Sequence, residues 1–434
     1  MFGLRFPQDT REHTGSYYAA SANPDGPYPT LEDRISSDIV IVGGGFSGVN
    51  LAVELCERGF EVTLLEANRI AWGASGRNGG QIIGGLGHDA TKFKATIGDE
   101  GVETIYRMGI ECVDILRERV EKYAINCDIK WGYCDVALRP KHMGWFRETL
   151  EDQKAAGYPH PLTLLDGEEV KEFVGSDAYI GGLYNANGGG HLHPLNLCQG
   201  EAKAAAGMGA RIYEQSKVIR VEPGTKSTVH TEKGAVEAGT VIFAGNAYME
   251  RLIPFLSKRV LPASSCIIGT EPLDEATAKS CLPKDVAVCD PRTALDYFRL
   301  SADNRMLFGG LSNYTGLVPT DYEQVMTRKM LKVFPQLEGI KIDYAWDGQL
   351  GIGINRMPQT GKLDDNTYFI QAYSGHGVAP THIMARVVAE AIDGNTKRFD
   401  MMRSIKHMAW PGGRYLRRPG MALGMLYFKS LDYI

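Results

Sequence analysis

"SSDIVIVGGGFSGVN", residues 36–50, decides the fold of this 434-residue chain. The apolar run "DIVIV" (38–42) suits a strand buried on both faces of a parallel sheet. Beyond the glycines, Val49, Ala52, Val53 and Cys56 recur at helical spacing, and Gly59 stands where a helix end favours positive φ. "FEVTLLEA" (60–67) then supplies a second strand. This is one βαβ unit, the opening of a doubly wound sheet. In Gly43-x-Gly45-x-x-Gly48, Gly43 permits a tight turn, Gly45 lets backbone approach a pyrophosphate, and Gly48 lets helix and strand pack closely. Phe46 and Ser47 begin the helix, whose free N–H groups attract phosphate. Glu66, with Ala67 beside it, ends the second strand 18 residues beyond Gly48. Its carboxylate is placed to accept from both ribose hydroxyls and would repel a 2′-phosphate.

The motif by itself fits NAD or FAD. The next stretch, "RIAWGASGRNGGQ" (69–81), separates them. It carries four glycines and several polar side chains directly after the ribose acid, where a nicotinamide enzyme needs no second glycine loop. A flavin lies extended and requires close backbone and small donors along its length. Ser75, Arg77, Asn78 and Gln81 supply the donors, and Gly79 and Gly80 the clearance; the alternative is an ordinary flexible loop. Near the other end, "YSGHGVAPTHIMARVV" places a second helix N-terminus behind Gly375, Gly377 and Val378. Such a terminus stabilises negative charge on a reduced flavin. His376 either meets the ring or caps the helix.

The remaining segments alternate. "GVETIYRMGIECVDILRERVEKY" (101–123) is an amphipathic helix with Ile105, Met108, Cys112 and Ile115 on its apolar side. "YCDVALRP" and "GGLYNA" are strand-like, Pro194 opens another helix, and residues 294–310 form a hairpin turning on "ADNR". Glycine loops near both ends predict a discontinuous dinucleotide domain over 36–90, 191–255 and 346–400. A sheet-rich substrate domain takes 91–190 and 256–345, with an irregular arm over 1–35 and a tail over 401–434.

Composition narrows the function. A net charge of −5 offers no basic stripe for nucleic acid, and 44% hydrophobic with 23% charged residues is ordinary for a soluble globular protein. The eight cysteines form no CxxC pair and read as reduced thiols of a cytoplasmic protein. The N-terminus lacks a signal-peptide core, and no apolar run reaches membrane-span length. His191 and His193 in "HLHPLN" share a strand face, but no third ligand is near; no metal is expected, and His193-Pro194 reads as a helix start. The tail "GRYLRRPGMALGMLYFKSLDYI" is basic, then apolar, and either packs on protein or lies on a membrane surface.

The loops "GGGFSG", "LLEA", "GASGRNGGQ" and "GHGV" resemble those of the FAD-dependent amino-acid and amine oxidoreductases, the D-amino-acid oxidase family. "TEPL", "YFRLSADNRMLFGG", "INRMPQTGKL" and "HMAWPGGRYLRRP" resemble its γ-glutamylputrescine oxidoreductase branch, which also includes oxidases of cyclic amino acids such as L-pipecolate. The resemblance runs from about residue 16 to the end. It implies an α/β fold: a glutathione-reductase-type Rossmann domain for FAD beside a mixed-sheet substrate domain. The adenine end would lie by Val218, and Ala244, Gly245 and Asn246 would run beside the cofactor. Some relatives bind flavin covalently through a C-terminal cysteine; the last cysteine here is Cys289, so a non-covalent FAD is expected.

The implied reaction is hydride transfer from the carbon bearing the amine to flavin N5, leaving an imine that water hydrolyses. It requires no dedicated acid or base, and none is assigned. The acceptor would be oxygen, a quinone or another carrier. The leading substrate is a γ-glutamylputrescine-type amine; the alternative is L-pipecolate or another cyclic imino acid. Arg356, on the strand leading back to the flavin, would clamp a substrate carboxylate or make a structural ion pair. Tyr297, which shares a strand face with Arg299, and Trp346 would wall the pocket or pack the core. The rival readings are an NAD-dependent dehydrogenase and a non-catalytic flavoprotein.

Overall fold

The strand predicted over 38–42 is longer, Arg34–Val42, and only its second half is buried. It lies at the centre of an eight-stranded sheet. Its neighbours Val62–Leu65 and Ala235–Phe243 both run parallel to it. Arg211–Tyr213 and Thr367–Gln371 extend the parallel set on the two sides. Gln359–Lys362 adds an antiparallel edge, and a hairpin-like pair, Val218–Glu222 and Ser227–Thr231, runs off Ala235–Phe243. The crossover helix Phe46–Glu57 is buried along nearly its whole length, pressed between the sheet and the helices Pro194–Gly207 and Pro380–Ile392. Gly59 ends it at φ +85°, as its position required. The computed structural model describes residues 4–5, 11–24, 26–87, 89–249, 252–313 and 317–411. Most of the 401–434 tail, with its basic-apolar segment, therefore lies outside the described residues.

A second, nine-stranded sheet is mostly antiparallel. Its long members are Lys130–Ala137, Gly181–His191, Leu261–Thr270, Met306–Asn313 and Ile342–Ile352. The pair Ala287–Cys289 and Lys130–Ala137 is parallel, so the sheet is mixed, as the resemblance implied. The predicted hairpin is present: Tyr297–Leu300 pairs with Met306–Asn313, and Leu300 faces Met306 across the turn. The amphipathic helix runs over Lys94–Lys122, with Ile105, Met108, Cys112 and Ile115 buried.

Sheet membership moves three of the expected boundaries. Gln81–Ile83, assigned by sequence to the dinucleotide domain, pairs with Gly181–His191 in the second sheet. Residues 346–352 likewise belong there, because Ile342–Ile352 pairs along its whole length with Leu261–Thr270. The central strand of the first sheet begins at Arg34, inside the segment read as an arm. Backbone pairing, which the local pattern does not reveal, decides each case. Nor is the arm irregular throughout. Tyr17–Ala20 form a short helix capped by Ser16, and Tyr18 is fully buried against Trp346 and His193.

Candidate active site

The carboxyl ends of four adjacent parallel strands meet at one place. Gly43 follows the first, Glu66 the second, Ala244 the third and Ala372 the fourth. This is the crevice where open α/β sheets bind ligands. Gly43 takes φ +115°, and a β-carbon there would press on the backbone of Ala244 and Gly245. A β-carbon on Gly48 would overlap the Gly43 carbonyl oxygen, so the third glycine allows the helix to start hard against the turn. The loop holds itself by backbone bonds from Gly43 N–H to Leu65 and from Ala244 N–H to Val42.

Glu66 turns toward this loop. Its carboxylate accepts from Gly44 N–H at 2.6 Å and Asn68 N–H at 2.8 Å. Burial raises its pKa, while those amides and Ala67 N–H oppose the rise. Each oxygen retains lone pairs for a diol. Val218 lies two residues beyond Ser216, whose N–H donates to the Glu66 carbonyl at 2.8 Å, so its strand begins next to Glu66.

The loop over 69–81 divides its work differently from the sequence expectation. Ser75 Oγ accepts from Phe46 N–H at 2.8 Å, at the helix N-terminus. Asn78 is committed to the loop itself: its amide donates to Ala74 and Ser75 carbonyls, and its oxygen accepts from Gly80 N–H. Gln81 donates to the Val288 carbonyl at 2.8 Å and so ties the loop to the second sheet. Arg77 stacks over Trp72 at 4.4 Å, donates through Nε to the Trp72 carbonyl, and keeps one buried terminal nitrogen without a hydrogen-bond partner. Gly79 and Gly80 give clearance to protein as well: side chains there would strike Tyr297 and the Leu192 carbonyl.

The C-terminal loop closes the other side. Ser47 Oγ donates to Tyr373 Oη at 3.0 Å, joining the two glycine loops directly. Asn246 accepts from Ala372 N–H at 3.0 Å. Ser374 and Gly375 take φ +57° and +97°. The helix begins at Pro380, behind Gly375 and Gly377. The intervening turn is pinned by fully buried His382, with Nδ1 3.0 Å from the Val378 carbonyl and Nε2 2.8 Å from Glu201.

Between these loops and the second sheet lies a cavity enclosing about 1380 Å³ up to its mouth. Phe46, Ser75, Arg77, Asn78, Gly79, Gln81 and Asn246 line it, as do Gly375, His376, Gly377, Val378 and Tyr297. Both ends of the chain therefore contribute to one chamber. It lies at the strand ends, between the two glycine loops and the second sheet. The glycine cradle at a helix N-terminus, the ribose acid and the unpartnered Arg77 nitrogen fit a flavin dinucleotide.

Two residues expected at the pocket, Arg356 and Trp346, do not line it, while His193 starts its helix as expected. Arg356 is not on a strand: Ile342–Ile352 has ended, and Arg356 sits in a turn at φ +59°. It does not line this cavity, and its carbonyl faces Gly87. Trp346 is 1% exposed and packs in the core, its Nε1–H donating to the Arg77 carbonyl at 3.0 Å. It supports the flavin loop from behind. His193 caps the helix Pro194–Gly207, its Nδ1 accepting from Asn196 N–H. His191 reaches the Asp285 carbonyl instead. Arg299 is a brace, donating to the Gly79 and Leu192 carbonyls.

Sequence reasoning missed the second-sheet wall: Ser265, Ile267, Cys289, Thr293, Leu295 and Ser312. The alternation Ser265, Ile267 was a usable signal for a strand face. Cys289 gave none, since a lone buried cysteine looks like packing. Tyr297 is on this wall, with its hydroxyl 3.3 Å from Ser265 Oγ and its pKa raised by burial.

Comparison with known proteins agrees with this geometry. Residues 38–391 match the DAO family, described as FAD dependent oxidoreductase. The chain is 44% identical over 97% of its length to gamma-glutamylputrescine oxidoreductase of Escherichia coli K12, covering 99% of that protein. It is 41% identical to the probable oxidoreductase OrdL of Haemophilus influenzae, covering 97% of this chain and 98% of that one. Among solved structures, glycine oxidase from Bacillus cereus superposes with a TM-score of 0.69 at 20% identity, over 84% of this chain and 97% of that one. A Rossmann crevice built from both ends of the chain, a mixed sheet facing it and a family match over most of the length have one meaning: this chain belongs to the DAO family of FAD-dependent oxidoreductases, flavoenzymes that oxidise C–N bonds.

Proposed function

We propose that the protein oxidises the terminal primary amine of a γ-glutamylputrescine-type substrate in the cytoplasm, with oxygen or a quinone-type carrier as final acceptor. The near-full-length similarity to the Escherichia coli enzyme of that name supports the substrate class. All eight cysteines are free, and among the described residues no helix is long and apolar enough to cross a membrane. When bound, FAD accepts hydride from the carbon that bears the amine.

The chain's own residues do the rest. Gly43, Gly45 and Gly48 with the Phe46 helix N-terminus would hold the pyrophosphate, and Glu66 the ribose. Arg77 and the Gly375–Val378 turn would flank the ring. The wall of Ile267, Cys289, Leu295 and Tyr297 is mainly apolar. It excludes water and disfavours the charged form of an amine held against it, and a neutral amine is the form that releases hydride.

The observation that carries the reading is the cation content of this chamber. Among the described residues only Arg77 and His376 of its lining can be cationic. Arg77 is tied by its Nε to the Trp72 carbonyl and would be taken up by the ring, and Arg356 lies outside. A carboxylate on the reacting carbon would need such a cation, so an amine without one is favoured over L-pipecolate. The test is anaerobic bleaching of the yellow band by γ-glutamylputrescine, putrescine and L-pipecolate, followed by peroxide and dye-linked assays. Bleaching by γ-glutamylputrescine at the lowest concentration is expected; preferential bleaching by L-pipecolate overturns the reading.

A further inference from the structure

A second cavity, enclosing about 1290 Å³, lies beside the first. Its walls are largely aliphatic and aromatic, with Ile105, Val113, Leu162, Tyr106, Tyr133 and Tyr158 among them. One carboxylate from the second sheet, that of Asp135, faces it. Asp135 accepts a single hydrogen bond, from Tyr133 Oη at 3.3 Å. Among the described residues no lysine, arginine or histidine pairs with it, although ion pairs are common elsewhere in this protein. A carboxylate so placed is costly unless a cation comes to it.

The two cavities are neighbours. Ile83 lines both. Asp135 and Cys289 are direct partners on parallel strands, so their α-carbons are about 4.8 Å apart. Cys289 faces the flavin chamber while Asp135 faces the second cavity. A small apolar cluster, Tyr133, Ala287 and Cys289 with Ile83 and Tyr297 packed against it, supplies lining residues to both cavities. Donors also line this cavity. Asn185 donates to Tyr158 Oη, leaving that hydroxyl hydrogen to point elsewhere, and Tyr106 donates to the Gln153 oxygen, leaving the Gln153 amide hydrogens. His160 Nε2 is buried with no partner.

We propose that this second cavity is the distal half of the substrate chamber, and that Asp135 receives the α-ammonium of an amino-acid group at the end of the substrate remote from the oxidised amine. The proposal rests on the functional reading above and assigns the residue that recognises the substrate's far end. The donors that share this lining complement the α-carboxylate. Burial pushes Asp135 up to about 7, opposed by Tyr133 and reinforced by Asp290, so a cation bound beside it favours the charged form.

Two non-reacting ligands test this on the holoenzyme by calorimetry. γ-Glutamylbutylamide keeps the amino-acid end but has no oxidisable terminal amine; N-butylglutaramate differs only in lacking the α-ammonium. The expected result is at least tenfold tighter binding of the first, and loss of that advantage to within twofold in Asp135→Asn, which retains the Tyr133 contact. Flavin absorbance and Tm of the variant establish that it is folded. Equal affinity in the native protein, no binding of either ligand, or an advantage that survives Asp135→Asn overturns the proposal. Failure of the functional reading is separate: γ-glutamylputrescine then fails to bleach the flavin even though the ligand pair is discriminated.

Discussion

A side chain at position 48 meets the Gly43 carbonyl oxygen inside van der Waals contact. Alanine is worth about 1 kcal/mol more than glycine in a helix interior, but here the gain is overridden because the obstacle is backbone. Gly48→Ala is expected to reduce bound flavin per mole of protein at least tenfold, read from the visible to ultraviolet absorbance ratio. Arg356 gives the opposite expectation. Lying outside the flavin chamber, Arg356→Ala should leave KM for the amine within about threefold, in the manner of a residue that makes no substrate contact; a rise of a hundredfold would restore the carboxylate clamp. His193 bears on acid stability. Burial, then Arg299, lowers its pKa to about 3, against about 6.5 in an unfolded chain. The folded state therefore binds fewer protons, and the stability this contributes is complete above pH 6.5 and lost progressively toward pH 3. His193→Asn keeps a capping oxygen without a titrating ring. Its Tm should fall less than the native protein's between pH 7 and 5.

At the scale of elements, the N-terminal segment is a wedge under the flavin loop. Tyr18 packs edge-on to Trp346 at 5.3 Å and to His193 at 5.0 Å, and its hydroxyl accepts from Arg299. Arg299 in turn holds the Gly79 carbonyl. Tyr18→Ala should cost on the order of 3 kcal/mol through its cavity, whereas Tyr18→Phe should cost only about 1 kcal/mol for the lost hydrogen bond. Urea denaturation of both variants checks this, and equal losses would show that the hydroxyl, not the packing, is what matters. The same segment reaches the loop from outside, where Glu12 pairs with Arg69 and its carbonyl accepts from Trp72 Nε1.

Across the whole molecule, the cofactor chamber joins the two sheets, with walls from residues 46–83, 246–312 and 348–381. A ligand filling it stabilises the native state by mass action, about 2.7 kcal/mol at a hundredfold excess over Kd. Removal of FAD should thus lower Tm by several degrees. Protease nicking should increase most in the loops that face the chamber, around 73–80 and 374–379. A stripped protein with unchanged Tm and cleavage pattern would contradict a cofactor held between both sheets.

The dinucleotide half was legible because its signals are local. A turn that admits only glycine, a helix start beside it and a carboxylate at the next strand's end sit within about 30 residues, as one supersecondary unit demands. The hairpin on "ADNR" and the cap at His193 were readable for the same reason. The substrate half was not. Whether Trp346 faces a cavity or a core depends on which strand lies next to it and what packs on each face. Arg356 looked like a ligand because strand and turn differ there by four residues. From its sequence alone, then, this protein was bound to make a flavin cradle, since steric rules along the chain leave those glycines few other uses. Only tertiary pairing decided the rest. It carried Gln81–Ile83 into the second sheet, set Cys289 beside Asp135, and left the Asp135 carboxylate facing a largely apolar chamber, because contacts between distant segments are chosen by packing and pairing of the whole chain.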